Sequence, residues 1–252
     1  SSDLDKLLIA TGSTAFIPKT KGSDLENVIA FRTKADVDAI ISTIRKEKTA
    51  VVVGGGLLGL EAAYGIAKHG IKTILVHRSG SILSQQLDST GGKLLQKNLE
   101  KYGIEFKLNT TIKEISGDGI VEKVEFTDGV CVESNLVVFA TGIIPNTKLA
   151  LDASLNCNKG ILVDDFLKTS DDSIFAIGEC VEHDGNTYGL VAPLYEQAKV
   201  LAKVLAGKST DGYSGSTLST RLKISGVDLF SAGDYLGDET TEDLILLDEK
   251  AG

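Results

Sequence analysis

The sequence predicts an α/β fold: a parallel sheet fed by crossover helices, with an antiparallel β-meander attached. Three observations carry this. A strand–glycine turn–helix–strand unit runs from Thr49 to His77, several short apolar runs end at glycine, and two turn signals near residues 117–119 and 127–129 interrupt the α/β rhythm. In chain order, Lys6-Leu7-Leu8-Ile9-Ala10-Thr11-Gly12-Ser13 is a short apolar block closed by a glycine turn, the pattern of a strand buried on both faces. Thr33 to Arg45 carries Val37, Ile40, Ile41 and Ile44 at helical spacing, which predicts an amphipathic helix. A strand over Thr49–Gly54 leads into a helix from about Leu57 to Lys68, stopped at His69-Gly70, and Ile71–His77 follows as the next strand. Right-handed crossover makes these two strands parallel.

The later elements follow by the same patterns. Thr90 to Tyr102 reads as a helix and Ile104 to Lys107 as a strand. Gly117-Asp118-Gly119 and Thr127-Asp128-Gly129 separate runs containing Val121, Val124 and Phe126, hence the meander. The apolar runs Asn135–Gly142 and Ser173–Glu179 each end at a glycine turn, and a helix is expected from about Leu194 to Leu205. Gly207 to Tyr213 is small and polar, a linker. The last stretch alternates poorly and receives no assignment.

Length and composition narrow the function classes. At 252 residues the chain suits one or two domains with a substantial core. Its net charge of −9 has the wrong sign for a surface that tracks a phosphate backbone, so nucleic acid is not an expected partner. No apolar run approaches the ~20 residues of a membrane span, and the acidic start is unlike a signal peptide, so no membrane is expected and the localisation reads as cytoplasmic. Cys131, Cys157 and Cys180 are odd in number and far apart, without a redox pair, a zinc cage or the four thiols of an iron–sulfur cluster. His69 reads as a helix-end residue, His183 as a loop residue and Cys180 as a small core hydrophobe. With no methionine and an opening directly onto an apolar strand, the sequence reads as a piece of something longer.

One motif carries chemistry. Gly54-Gly55-Gly56-Leu57-Leu58-Gly59 fits G-x-G-x-x-G where a strand ends and a helix begins, which aims backbone N–H groups and the positive helix end at a pyrophosphate. Gly54 would make the tight turn, Gly56 would let phosphates approach, and Gly59 would let the helix lie close to its strand. The plain alternative is a strand-to-helix turn with no ligand. At the end of the second strand, where a carboxylate would bond a ribose 2′-hydroxyl, stand His77 and Arg78. A guanidinium there can pair with a 2′-phosphate, which tilts the reading toward NADPH; a solvated strand-end charge is the alternative, and the choice between NADH and NADPH stays open. Glu61 is read in the first helical turn, where the dipole favours an acid with or without a ligand. No Ser-His-Asp, metal-ligand or paired-carboxylate set is present in the pattern, and no catalytic side chain or metal ligand is assigned.

The order Ala10-Thr11-Gly12, glycine motif with Glu61, meander, Ala140-Thr141-Gly142-Ile143-Ile144-Pro145-Asn146, then Ile174-Phe175-Ala176-Ile177-Gly178-Glu179 resembles the pyridine nucleotide-disulfide oxidoreductase superfamily over nearly the whole chain. Gly178-Glu179-Cys180-Val181-Glu182-His183, the run Tyr188 to Ala198 and the run Ser219 to Asp234 are similar to the flavoprotein (large) subunits of assimilatory NAD(P)H nitrite reductases. The resemblance implies a Rossmann-like NAD(P)-binding domain at 48–146 inserted in a truncated FAD-binding domain, with residues 1–47 and 147–208 on the flavin side and 209–252 beginning a further region. It implies flavin contacts at Thr11, Gly12, Arg32, Gly178, Glu179 and Val191, with Glu179 standing where many relatives have Asp. Gly142 and Glu61 would lie on the nicotinamide side.

The resemblance further implies hydride transfer from NAD(P)H to FAD, with electrons passed to siroheme and iron–sulfur centres absent from this chain. A small subunit or a homo-oligomer would complete the intact enzyme. Rivals of the same architecture are rubredoxin or ferredoxin reductases and NADH oxidases, and a rival of another class is a non-catalytic dinucleotide-binding module. The missing cysteine pair argues against the disulfide-reducing branch. Because the sequence holds a single G-x-G-x-x-G and lacks the cysteines for the metal-bearing half that the resemblance implies, the polypeptide alone is expected neither to retain FAD tightly nor to reduce nitrite.

Overall fold

The structure, a computed structural model, describes residues 4–44, 49–224, 226–234, 239–242, 244 and 246. In chain order the elements are β1 (Leu7–Ile9), β2 (Ser13–Ala15), β3 (Val28–Ala30), α1 (Lys34–Ile44), β4 (Thr49–Val53), α2 (Leu57–Ala67), β5 (Lys72–His77), α3 (Ser89–Glu100) and β6 (Ile104–Leu108). They continue with β7 (Ile112–Ser116), β8 (Lys123–Phe126), β9 (Cys131–Glu133), β10 (Leu136–Phe139), β11 (Ile143–Pro145), α4 (Lys148–Asp152) and β12 (Ile161–Val163). The last are β13 (Ile174–Ala176), β14 (Val181–His183), β15 (Asn186–Thr187), α5 (Val191–Leu205), β16 (Ser219–Arg221) and β17 (Phe230–Ala232). Two compact units result, one from residues 1–14 and 142–218, the other from 15–141 and 219–252.

The larger unit is built on a five-stranded sheet of order β3-β10-β4-β5-β6, every neighbouring pair parallel. Because side chains alternate along a strand, Ala50 and Val52 of β4, with Leu75 of β5 and Val138 of β10, turn to one face. There they meet Ile40 and Ile44 of α1, Leu60, Ala63 and Ile66 of α2, and Leu95 and Leu99 of α3. Val51, Val53, Ile74, Val76 and Val137 turn to the other face and pack against Ile115, Val124 and Phe126 of the antiparallel meander β7-β8-β9. Both faces are therefore covered, which is why these strands read as unbroken apolar runs. Gly129 (φ +83°) makes the predicted β8–β9 turn, and Gly70 (φ +77°) ends α2 with its N–H donating to Ala67 O at 2.9 Å.

Residues 15–44, read from the sequence with the flavin-side segment, fall in this unit because β3 extends its sheet beside β10 and α1 packs on its helical face. The unassigned C-terminal stretch supplies the β16–β17 hairpin. Leu222 and Ile224 next to it are buried with α2 and α3.

The smaller unit holds the parallel pair β1–β13 and the three-stranded β12-β14-β15, with α5 covering a core that includes Ile9, Phe175, Val181 and Leu201. Cover on both faces of β1 is not provided among the described residues. Leu7 and Leu8 are each 43% exposed and only Ile9 is buried. Helix α5 starts at Val191 rather than near Leu194, since Pro193 sits in the first turn, where a missing N–H costs nothing. His183 is not a loop residue: it ends β14, is buried, and its Nε2 lies 2.9 Å from Asp165 Oδ1. Tyr213, in the segment read as a linker, is buried too, its N–H donating to Asp165 O at 2.6 Å.

Candidate functional site

In the larger unit the glycine motif forms the bend between β4 and α2. Gly54 has φ +121°, and a Cβ there would stand 2.3 Å from Ala140 O. A Cβ at Gly59 would stand 1.9 Å from Gly54 O, so α2 can start this close to its strand only without a side chain at that position. Gly56 differs from both: it is the N-cap of α2, and nothing lies within 4 Å of where its Cβ would be. Space therefore opens at the residue whose job, on the pattern, is to admit a ligand. The first N–H groups of α2, among them those of Leu57, Leu58 and Gly59, have no carbonyl one turn back, and no side chain caps them. Phosphate oxygens suit such donors, so the residues fit a dinucleotide.

His77 ends β5 beside this bend and Arg78 follows it. The Gly55 N–H donates to His77 Nδ1 at 3.1 Å, and the ring lies over Gly55 so closely that a Cβ there would stand 2.7 Å from Cγ. Burial and the neighbouring Arg78 guanidinium push the imidazole below its ordinary range, so the ring is neutral at pH 7. Arg78 is exposed and makes no ion pair among the described residues. Glu61 lies beyond the first turn of α2, contrary to its sequence placement. Its Oε1 accepts the Lys223 N–H at 3.1 Å, so that its carboxylate meets the C-terminal hairpin region.

Arg32 also falls in this unit, just before α1, where its N–H and that of Thr33 donate to Asp36 Oδ2 at 3.1 and 2.7 Å. That is helix capping by a Thr-x-x-Asp box, and it accounts for the backbone at Arg32 without a ligand.

A second constellation lies in the smaller unit. Thr11-Gly12 and Gly178-Glu179 follow the C-terminal ends of the adjacent parallel strands β1 and β13, where open α/β sheets take ligands. Asn146 ties the first turn down: Thr11 Oγ1 donates to Asn146 O at 2.7 Å, Asn146 Nδ2 to Thr11 O at 2.8 Å, and Asn146 N–H to Gly12 O at 2.9 Å. Ser13 Oγ donates to Glu179 Oε2 at 2.7 Å, joining the two turns. Gly12 (φ +65°) and Gly178 (φ +95°) both leave open space where a Cβ would be.

The Gly178 N–H donates to Oε1 of the fully buried Gln197 at 2.8 Å, while Gln197 Nε2 has no partner among the described residues. A buried donor left over beside an open glycine turn is what a site for a polar cofactor provides, and the residues fit a flavin there. Val191, 66% exposed, opens α5, and Gly142 is exposed ahead of β11. The structure thus gathers Gly54–Gly59, Glu61, His77 and Arg78 in one unit and Thr11, Gly12, Gly178, Glu179 and Val191 in the other. Sequence reasoning missed Asn146, Ser13 and Gln197, whose side chains reach across long sequence distances and leave no local signal.

Residues 1–200 match the pyridine nucleotide-disulphide oxidoreductase family. The chain belongs to that family. Among curated relatives, "Nitrite reductase [NAD(P)H]" of Bacillus subtilis is 48% identical over 98% of the chain, and the "Assimilatory nitrate reductase electron transfer subunit" of the same organism is 44% identical over 98%. The "Nitrite reductase (NADH) large subunit" of Escherichia coli is 40% identical over 92%. The chain spans only 31%, 32% and 28% of the lengths of these three. Two solved structures align closely. The ferredoxin reductase for the CYP199A2 system from Rhodopseudomonas palustris has TM-score 0.83 and 26% identity, covering 90% of this chain and 57% of its own. An FAD-dependent pyridine nucleotide-disulphide oxidoreductase from Desulfovibrio vulgaris has TM-score 0.79 and 30% identity, covering 91% and 60%.

The three cysteines do not form a pair. Cys131 is exposed, Cys157 half-buried with burial raising its pKa, and Cys180 buried; all three are free. Among the described residues no group of three or more His, Cys, Asp and Glu could hold a metal, and no helix is long and apolar enough to cross a membrane.

Proposed function

We propose that this chain is the NAD(P)H-oxidising flavoprotein part of a cytoplasmic nitrite reductase, passing hydride from NAD(P)H to FAD and electrons onward to siroheme and iron–sulfur centres outside the chain. The observation that carries the reading is the open turn at Gly56, backed by uncapped helix amides, in a chain similar to nitrite reductases over 98% of its length. That similarity runs past the 200 residues shared with the wider family and takes in Ser219 to Asp234. The match to a rubredoxin-NAD(+) reductase of Alcanivorax borkumensis, at 33% identity, covers 83% of the chain.

In this reading the Gly56–Gly59 amides bind the pyrophosphate of the nicotinamide cofactor, and Arg78 stands at the strand end to pair with a 2′-phosphate. Thr11, Gly12, Gly178 and Glu179 would hold the flavin, with the Glu179 carboxylate accepting hydrogen bonds from its hydroxyls as it does from Ser13 Oγ. When bound, FAD supplies the conversion between a two-electron donor and one-electron acceptors. The residues bind and orient; none serves as a general base, because hydride transfer between the two rings demands none. A second reading, an electron-transfer subunit for nitrate reduction, draws on the 44% identity to the B. subtilis subunit so named.

The test is titration of the purified chain with NADPH and NADH, followed by ferricyanide reduction with added FAD. Binding, with turnover only when flavin is supplied, is the expected result, and absence of binding to either nucleotide refutes the reading. A protein extended to the relatives' length then separates nitrite from nitrate as the final acceptor.

A further inference from the structure

We propose that His77 is a positioning residue for the dinucleotide turn: a neutral ring whose Nδ1 accepts the Gly55 N–H, and whose single proton therefore sits on Nε2. This rests on reading residues 54–59 as a phosphate-binding turn. Gly55 is buried, and both of its main-chain groups are tied down, one to the last residue of β5 and one to the chain that follows it. Its N–H donates to His77 Nδ1 at 3.1 Å, and its carbonyl accepts the Leu83 N–H at 2.8 Å. The Gly54 N–H is likewise spent on Val76 O, at 2.9 Å. The first two glycine amides are thus used to hold the bend, which leaves phosphate recognition to the amides from Gly56 onward. The ring itself is held by its contact with Gly55, where no side chain fits beneath it.

The tautomer has a chemical consequence. A neutral imidazole has one donor and one acceptor nitrogen, and here the acceptor is already used. The strand end then offers only donors, Nε2–H and the Arg78 guanidinium, where a carboxylate would accept from a ribose hydroxyl. Protonation of the ring would set an Nδ1–H against the Gly55 N–H and break the bond. Burial and the Arg78 charge both oppose that protonation. On the flanking elements, Gly55 and Leu108 carry no charge, and Lys107 of β6 turns its ammonium onto the Phe126 ring. Because the folded pKa is depressed, the bond is complete above the unfolded value of 6.5 and is lost as pH falls through the folded one.

The experiment measures NADH affinity between about pH 5 and 8 for the chain and for His77→Asn and His77→Leu. NADH is the probe because the 2′-phosphate of NADPH would itself titrate near about pH 6. The expected wild-type affinity is flat above pH 6.5 and weakens below the folded pKa by up to about tenfold per pH unit. An asparagine Oδ1 lies as many bonds from Cα as a histidine Nδ1 does and does not titrate, so His77→Asn restores an acceptor for the Gly55 N–H, binds NADH more tightly than His77→Leu at pH 8 and loses the pH dependence. His77→Leu leaves Gly55 without an acceptor, binds roughly tenfold more weakly than the wild type does at neutral pH, and shows no pH dependence of its own.

In parallel, nitrogen NMR of the ligand-free chain reads the tautomer directly. A proton on Nε2 and a pKa below 6.5 support the latch; a proton on Nδ1 overturns it. A pH-independent wild type, or a His77→Leu variant that binds as tightly, overturns it as well. Failure of every form to bind NADH or NADPH instead removes the phosphate-turn reading, and the NMR result still decides the His77–Gly55 bond.

Discussion

Replacing Gly56 by valine separates the glycine proposed to admit a phosphate from the two that build the turn. At Gly56 the backbone is extended (φ −86°, ψ −178°), a conformation that a β-branched residue adopts without strain, and nothing lies within 4 Å of the new Cβ. Folding stability should therefore change by less than about 0.5 kcal/mol, as for an ordinary surface substitution. The isopropyl group would occupy the space through which a phosphate reaches the helix amides. Losing one hydrogen bond to a charged oxygen is worth about 1.5–3 kcal/mol, which weakens NADPH binding roughly 10- to 150-fold.

Gly59→Ala reverses the pattern. Its Cβ would stand 1.9 Å from Gly54 O and 2.9 Å from Gly54 C, so α2 must move off its strand, at a cost of about 1–3 kcal/mol in stability. Isothermal titration with NADPH and urea unfolding monitored by circular dichroism read the two quantities. A Gly56→Val chain that binds NADPH as well as the parent refutes the assignment of this bend to phosphate. A Gly59→Ala chain of unchanged stability refutes the packing argument.

Three further outcomes are expected. Arg78→Glu places a carboxylate where a 2′-hydroxyl could donate and a 2′-phosphate is repelled, so the NADPH-to-NADH affinity ratio falls about tenfold or more; an unchanged ratio in paired titrations removes Arg78 from the site. The buried Glu182 carboxylate accepts Lys159 N–H, Gly160 N–H and Asn158 Nδ2 at 2.7, 3.1 and 3.0 Å, and although burial pushes its pKa up, these bonds hold it below its ordinary 4.5. Its contribution is complete above pH 4.5 and is lost as pH falls through the folded value, so urea midpoints of Glu182→Gln should vary less with acidification than those of the parent. Leu222→Ala, at a residue only 3% exposed against the helical face of the larger unit, should cost about 2–5 kcal/mol in that unit's unfolding, and a negligible loss would show that the hairpin is not part of its cooperative core.

The parallel sheet and the glycine turn were legible in the sequence because they depend on local rules. Val51, Val52 and Val53 read as an apolar strand, and the structure covers it with helices on one side and the meander on the other. Gly54 and Gly59 were assigned their parts from spacing alone, and the close approaches to Ala140 O and Gly54 O give the reason no other residue fits. The same local reasoning failed at Leu7 and Leu8, since an apolar run reports a preference for burial and not whether a neighbour is there to provide it. It failed at His183, whose polar neighbours in sequence concealed the carboxylate of Asp165 eighteen residues away.

By itself, then, the sequence determined the α/β class, the central strand–turn–helix–strand order and the glycine-turn pattern, because each is encoded in periodicity or in short spacings of glycine and apolar residues, while the family was legible through resemblance of longer segments. Only the tertiary structure decided what His77, Glu61, Asn146 and Gln197 do. Each acts through a hydrogen bond to a residue at least nineteen positions distant, and whether such groups meet depends on how whole elements pack, which no local pattern of residues records.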